Sequence, residues 1–225
     1  MVKLTIDLIG NKAQFAGMHF SHLMHNIPRP FSADHGHEAR QFFAADGEEI
    51  QDFVAAVAGS SPYLKGLIEK EHQWLRGAFA QPDAALKVEF SNLKATAGSD
   101  LMSALRRAKR RVALWTALCD LAGVWALEEV TEALSKFADL ACQISLNHAL
   151  KVQLQRGKIP MRKPETDPAG LGMFVLAMGK LGANELNYSS DIDLICFFDE
   201  SYFASVDVVS VRAGFISSTN NMVAL

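Results

Sequence analysis

The chain has 225 residues, 49% of them hydrophobic and 21% charged, enough apolar material for a core, which excludes a wholly disordered chain. Its 22 basic against 25 acidic residues give a net charge of −3, which argues against a dedicated nucleic-acid binder. No uncharged apolar run reaches the roughly 18 to 20 residues of a membrane helix, MVKLTIDLIGNK carries no signal-peptide pattern, and Cys119, Cys142 and Cys196 form no CxxC pair; the expectation is a cytoplasmic chain with no membrane partner.

Residues 1–48 hold Gly10, Gly17, Pro28, Pro30, Gly36 and Gly47 with five of the seven histidines, and no period persists. They read as an irregular arm with short helical pieces. His19, His22 and His25 recur every three residues and His35 and His37 flank Gly36, but no spacing matches a structural zinc pattern. Residues 49–156 read as helical. Ile50, Phe53, Val54 and Val57 form a stripe that Gly59 is expected to end as a left-handed cap. Ser60 or Ser61 caps the next helix, Pro62 to Phe79, with Pro62 just inside its start.

Leu101, Leu105, Ala108, Val112, Trp115, Cys119 and Ala122 mark a long third helix, with Ser99 as N-cap and Gly123 as its end. A fourth runs from about Leu127 to Leu150. Arg106, Arg107, Lys109, Arg110 and Arg111 form a basic run on the third helix, either a phosphate- or partner-binding patch or a solvated face. Trp74, Trp115 and Trp125 are expected to serve the core. Lys158 to Gly172 reads as an irregular connection.

Two strand candidates follow, Met173 to Met178 and Asp191 to Phe198, the second read as a buried central strand. Strand period two puts Asp191 and Asp193 on one face. Two neighbouring carboxylates repel and are costly to bury, and a divalent cation removes both problems; oxygen ligands of this kind suit Mg²⁺. Gly179 allows close backbone approach to a phosphate, while Lys180 and the hydroxyls of Ser189 and Ser190 add donors. The set fits metal-assisted attack on a nucleotide phosphate; the plainer reading is two surface aspartates near a strand start. Rival motifs fail. A P-loop needs Gly and Ser or Thr where Phe174 and Leu181 stand, and a helix-loop-helix calcium loop needs Gly where Cys196 stands.

The string GKLGANELNYSSDIDLI, Gly179 to Ile195, resembles the signature of the glutamine synthetase adenylyltransferase/adenylyl-removing family. Ser61-Pro-Tyr-Leu-Lys-Gly-Leu-Ile, Leu105-Arg-Arg, Asp120-Leu-Ala-Gly and Leu134-Ser-Lys-Phe-Ala-Asp resemble its helical segments, so the likeness covers about residues 50 to 198. The resemblance implies an α+β chain, mostly helical at first, followed over residues 157–225 by the start of a polymerase-beta-type nucleotidyltransferase domain with an incomplete sheet. It also implies the family's chemistry: AMP added to a tyrosine of glutamine synthetase from ATP, or removed by phosphorolysis to ADP, under control of a PII-type signalling protein and glutamine. The motif is similar to that of the adenylyl-removing half.

Carried over, Asp191 and Asp193 bind Mg²⁺ as the catalytic carboxylates, and Gly179, Lys180, Gly182, Ser189 and Ser190 surround the nucleotide phosphates. The family places a third carboxylate in a downstream Leu-Arg-Pro segment, which this sequence lacks. Asp207 is the candidate replacement. The residues from about 201 onward depart from the family pattern, and the chain reads as a truncated copy. The alternative is a catalytically incomplete fragment that only binds glutamine synthetase or the PII-type regulator.

Overall fold

Side-chain oxygens set the helix starts. The Ser32 hydroxyl accepts the amide of His35 at 3.3 Å and opens α1, Ala33–Gln41. The Ser61 hydroxyl accepts the amide of Leu64 at 3.3 Å and opens α3, Pro62–Ala80, with Pro62 in the first turn as expected. Between them lies α2, Glu48–Ser60. The structure is a computed structural model and describes residues 17–160, 171–203 and 208–225.

Gly59 does not end α2 as a left-handed cap. The helix continues through it, and Ser61 is the C-cap. Gly59 is glycine because Pro30 and Ser32 press on it: an added Cβ would lie 2.6 Å from the Ser32 carbonyl oxygen and 2.7 Å from the Pro30 Cβ. Helix α4, Ala85–Ala95, was not anticipated. It buries Leu86, Phe90 and Leu93 at a helical 4-3 spacing. Then come α5, Leu101–Leu121, and α6, Leu127–Gln155. A 3-10 turn, Gly98–Asp100, holds Ser99 inside it, so Ser99 does not cap α5. Gly123 takes the left-handed conformation expected of it, at φ +68°.

The chain divides into two units. One comprises residues up to Asn92 together with Arg110–Val130; the other comprises Leu93–Lys109 with Thr131–Leu225. The first has an aromatic centre. The Phe20 ring lies 5.8 Å from Phe53, 5.2 Å from Phe79 and 5.1 Å from Trp115, all buried. Each such side chain contributes about 1.5–3 kcal/mol on burial. Every residue of the expected α5 stripe is buried. The basic run splits. Arg106, Arg107 and Lys109 are exposed, but Arg111 bridges two buried carboxylates, Glu71 at 2.8 Å and Glu89 at 2.9 Å, and its guanidinium sits 5.3 Å from the Trp74 ring centre. Arg110 makes a further 2.8 Å bond to Glu71.

In the second unit β1, Met173–Ala177, pairs antiparallel with β2, Leu194–Phe198, with Met173 opposite Phe198 and Ala177 opposite Leu194. The one-turn helix α7, Gly179–Gly182, follows β1 directly. The sheet has two strands among the described residues. The inner face meets a core of Leu146, Leu150, Ile159, Phe203, Val211 and Phe215. The outer face leaves Phe174, Leu176, Ile195 and Phe197 exposed. The expected buried central strand is therefore half-exposed, because the sheet is covered on one side. The residues after 207 form α8, Val208–Ala224. It joins the same core through Phe215, stacked 4.7 Å from Phe198, and through a 2.9 Å bond from the Gln153 amide to Ser217 Oγ. The architecture is α+β, mostly helical with one small antiparallel sheet among the described residues.

Candidate functional site

The motif residues occupy the turn between the strands. Gly179 lies just past β1 with φ +56°, a left-handed conformation that glycine adopts without strain. It reverses the chain into α7. Gly182 is required by contact: an added Cβ would lie 2.5 Å from the carbonyl oxygen of Ala177. Below these glycines the Met178 amide donates to the Asp193 carbonyl at 2.9 Å, extending the strand pairing by one residue.

Asp191 and Asp193 stand in irregular chain just before β2 rather than within it. The physical reason is the partner strand, which ends where Gly179 turns away, leaving Asp191 nothing to pair with. Both carboxylates are exposed. Asp193 is brought to the glycine turn, its Oδ2 lying 3.9 Å from the Cβ position of Gly179. Lys180 is exposed on α7. Its carbonyl accepts the Glu185 amide at 2.7 Å, so the turn is closed by its own backbone. Ser189 is exposed. Ser190 is half-buried and gives its hydroxyl proton to Asn187 Oδ1 at 2.6 Å, so in this arrangement that proton is not directed at a phosphate.

Two features of the site were missed by sequence reasoning. Ser135 of α6 accepts the Leu186 amide at 3.1 Å in a buried bond. Asn184 takes φ +60°, tolerable for asparagine, and its amide donates to Leu181 at 3.0 Å. The first could not be found from local pattern, since 51 residues separate the partners. The second had a signal, an Asn at the end of a glycine-bounded turn.

The donor set fits Mg²⁺ to a defined extent. Two carboxylates two residues apart suit an ion that keeps several waters and takes the rest of its ligands from phosphate. No third His, Cys, Asp or Glu groups with them among the described residues. Asp207 lies outside those residues. Asp199 is held below the ordinary carboxylate range by hydrogen bonds from Ser201, its Oδ1 accepting the Ser201 amide at 2.9 Å. It sits at the opposite end of β2 from Asp193 and so does not complete the pair.

The family model for glutamate-ammonia ligase adenylyltransferase matches residues 29–214, wider at both ends than the span the motifs alone carried. The chain belongs to the glutamate-ammonia ligase adenylyltransferase family. Relatives named bifunctional glutamine synthetase adenylyltransferase/adenylyl-removing enzyme include one from Rhodopseudomonas palustris strain TIE-1, 41% identical over 157 residues, covering 67% of this chain and 16% of the relative. One from Bradyrhizobium sp. strain ORS 278 is 43% identical over 155 residues, 66% of this chain and 16% of the relative. One from Agrobacterium fabrum strain C58 is 35% identical over 162 residues, 68% of this chain and 16% of the relative. The chain thus spans about a sixth of the length of these family members. No solved structure matches it. No helix among the described residues is long and apolar enough to cross a membrane.

Proposed function

We propose that this chain carries the metal- and phosphate-binding turn of a nucleotidyl-transfer site acting on the AMP group attached to a tyrosine of glutamine synthetase. One observation carries the reading: Asp193 stands against the left-handed Gly179 turn, with Asp191 two residues before it, in a chain of this family. The nucleotidyltransferase core begins near residue 157, and the setting is the cytoplasm. Asp191 and Asp193 hold Mg²⁺. The ion supplies charge neutralisation on phosphate oxygens. Gly179 and Gly182 keep the turn free of side chains where the nucleotide phosphates approach. Lys180 and Ser189 are the donors to phosphate oxygens, and Ser190 joins them by releasing Asn187.

The reaction is the removing direction. An oxygen of inorganic phosphate bonds to the phosphorus of tyrosine-linked AMP, the bond from that phosphorus to the tyrosine oxygen breaks, and the tyrosine oxygen takes a proton; ADP leaves. The regulator is a PII-type protein. A second reading is favoured by the two-carboxylate site, which lacks a third acid among the described residues: the chain docks on glutamine synthetase or on the regulator without turnover. Incubation with adenylylated glutamine synthetase, phosphate and Mg²⁺ separates the two. ADP release that disappears without phosphate supports catalysis. Binding without ADP supports docking. Neither binding nor ADP contradicts both.

A further inference from the structure

The loop from Ala183 to Asp193 carries every polar residue of the proposed site beyond α7, and nearly all of it is exposed. Exposed loops of this kind fluctuate unless something fixes them. Leu186 is the loop's one buried residue, only 7% exposed. Its amide donates to Ser135 Oγ at 3.1 Å, and Ser135 is fully buried in α6. The hydroxyl is therefore committed inside the unit, with no access to solvent. A serine in a helix interior is otherwise a poor choice, since it competes with the helix backbone.

The restraint passes along the loop. Asn187 follows Leu186, and its carbonyl accepts the Ser190 amide at 3.3 Å while its side-chain oxygen accepts the Ser190 hydroxyl at 2.6 Å. Asp191 follows Ser190 directly. Two residues later the Asp193 carbonyl is pinned by the Met178 amide. The Asp191–Asp193 segment thus has a fixed point on each side, Ser135 through the Asn187–Ser190 turn and Met178 through the sheet.

We propose that Ser135 is a positioning residue for the site. Its hydroxyl fixes the Leu186 amide, and through the Asn187–Ser190 turn it sets the spacing of the Asp191 and Asp193 carboxylates for a divalent cation. Ser135 touches no substrate. Groups hydrogen-bonded directly to a metal ligand contribute about 10- to 100-fold to metal affinity, and Ser135 acts one link further back, so the lower end of that range is expected. This inference rests on the reading of Asp191 and Asp193 as a metal pair.

The test uses the full chain and Mn²⁺ as the probe, with bound metal counted by electron paramagnetic resonance and amide exchange followed at Leu186. Ser135→Ala and the nearly isosteric Ser135→Cys are each expected to speed Leu186 exchange and weaken Mn²⁺ binding by about tenfold. Ser135→Thr, which restores a hydroxyl, is expected to recover both. Asp193→Asn is expected to abolish binding. Should Asp193→Asn lose Mn²⁺ while both the Ala and Cys variants keep wild-type affinity, the positioning role is overturned and the metal pair stands. Should Asp193→Asn bind Mn²⁺ as wild type does, the metal pair itself falls, and the positioning role with it. Slow Leu186 exchange in both variants also overturns the proposal, because the hydrogen bond then fixes nothing.

Discussion

Asp191 and Gly182 make opposite demands on the same turn, one chemical and one steric. Asp191 is exposed and pairs with no strand, so its removal leaves the fold intact. Asp191→Asn is expected to abolish metal-dependent turnover without shifting the unfolding midpoint, checked by ADP release alongside thermal melting. Gly182 has no such latitude. Its Cβ position lies 2.5 Å from the Ala177 oxygen, so Gly182→Ala must displace backbone. Overpacking of this kind costs about 1–3 kcal/mol, to be read from urea unfolding. Burial also acts on two of the thiols, Cys119 and Cys142. Cys142 is pushed up to about 11, chiefly by desolvation, with Asp139 and Cys196 adding to it, and desolvation likewise holds Cys119 well above the ordinary thiol range. Neither thiol should react with iodoacetamide at pH 8 while the chain is folded. The linkage has a definite sign. A thiol whose folded pKa exceeds its unfolded value near 9 keeps its full stabilising contribution below pH 9 and loses it as pH rises toward 11. Stability measured against pH should therefore decline across that window.

Among the elements, α5 shows how one sequence run is divided between two tasks. Arg106 is exposed, whereas Arg111 holds the buried Glu71 and Glu89. Arg111→Ala leaves the buried Glu89 without its cation and Glu71 with Arg110 alone, and is expected to destabilise by about 3–5 kcal/mol. Arg106→Ala is expected to stay within about 0.5 kcal/mol. Equal losses in urea unfolding would show that the run acts as one patch. This split was not visible from the sequence, because the partners lie on α3 and α4. The apolar stripe on the same helix was visible, since its 4-3 period is a local property. The Ser61 cap was visible for the same reason. Gly59 was misread because the pressure on it comes from Pro30 and Ser32, far away in the chain. The final helix, α8, was not foreseen either. Val208, Val209, Val211, Ile216 and Thr219 are β-branched, and its buried face uses Gly214 and Ser218 beside Phe215 and Met222. Propensity pointed away from a helix, and packing against Ile159 and Phe198 decided for one.

At the scale of the whole molecule, the motif stood out in the sequence as a continuous string, while its surroundings did not. The glycine turn and the Asp-x-Asp pair lie together in space because one antiparallel hairpin-like pairing joins them. What surrounds them is a two-stranded sheet with an apolar outer face of Phe174, Leu176, Ile195 and Phe197. Expectation and structure differ most here, because a strand's burial depends on its neighbours and not on its own residues. The proposed function rests on the same local unit. Calorimetric titration of ADP with Mg²⁺ into the wild-type chain and into the Asp191→Asn/Asp193→Asn double variant tests it most directly. Saturable binding by the wild type that is lost in the double variant is the expected result. No binding by the wild type, or equal binding by both, would contradict the assignment of this turn as a metal–nucleotide site.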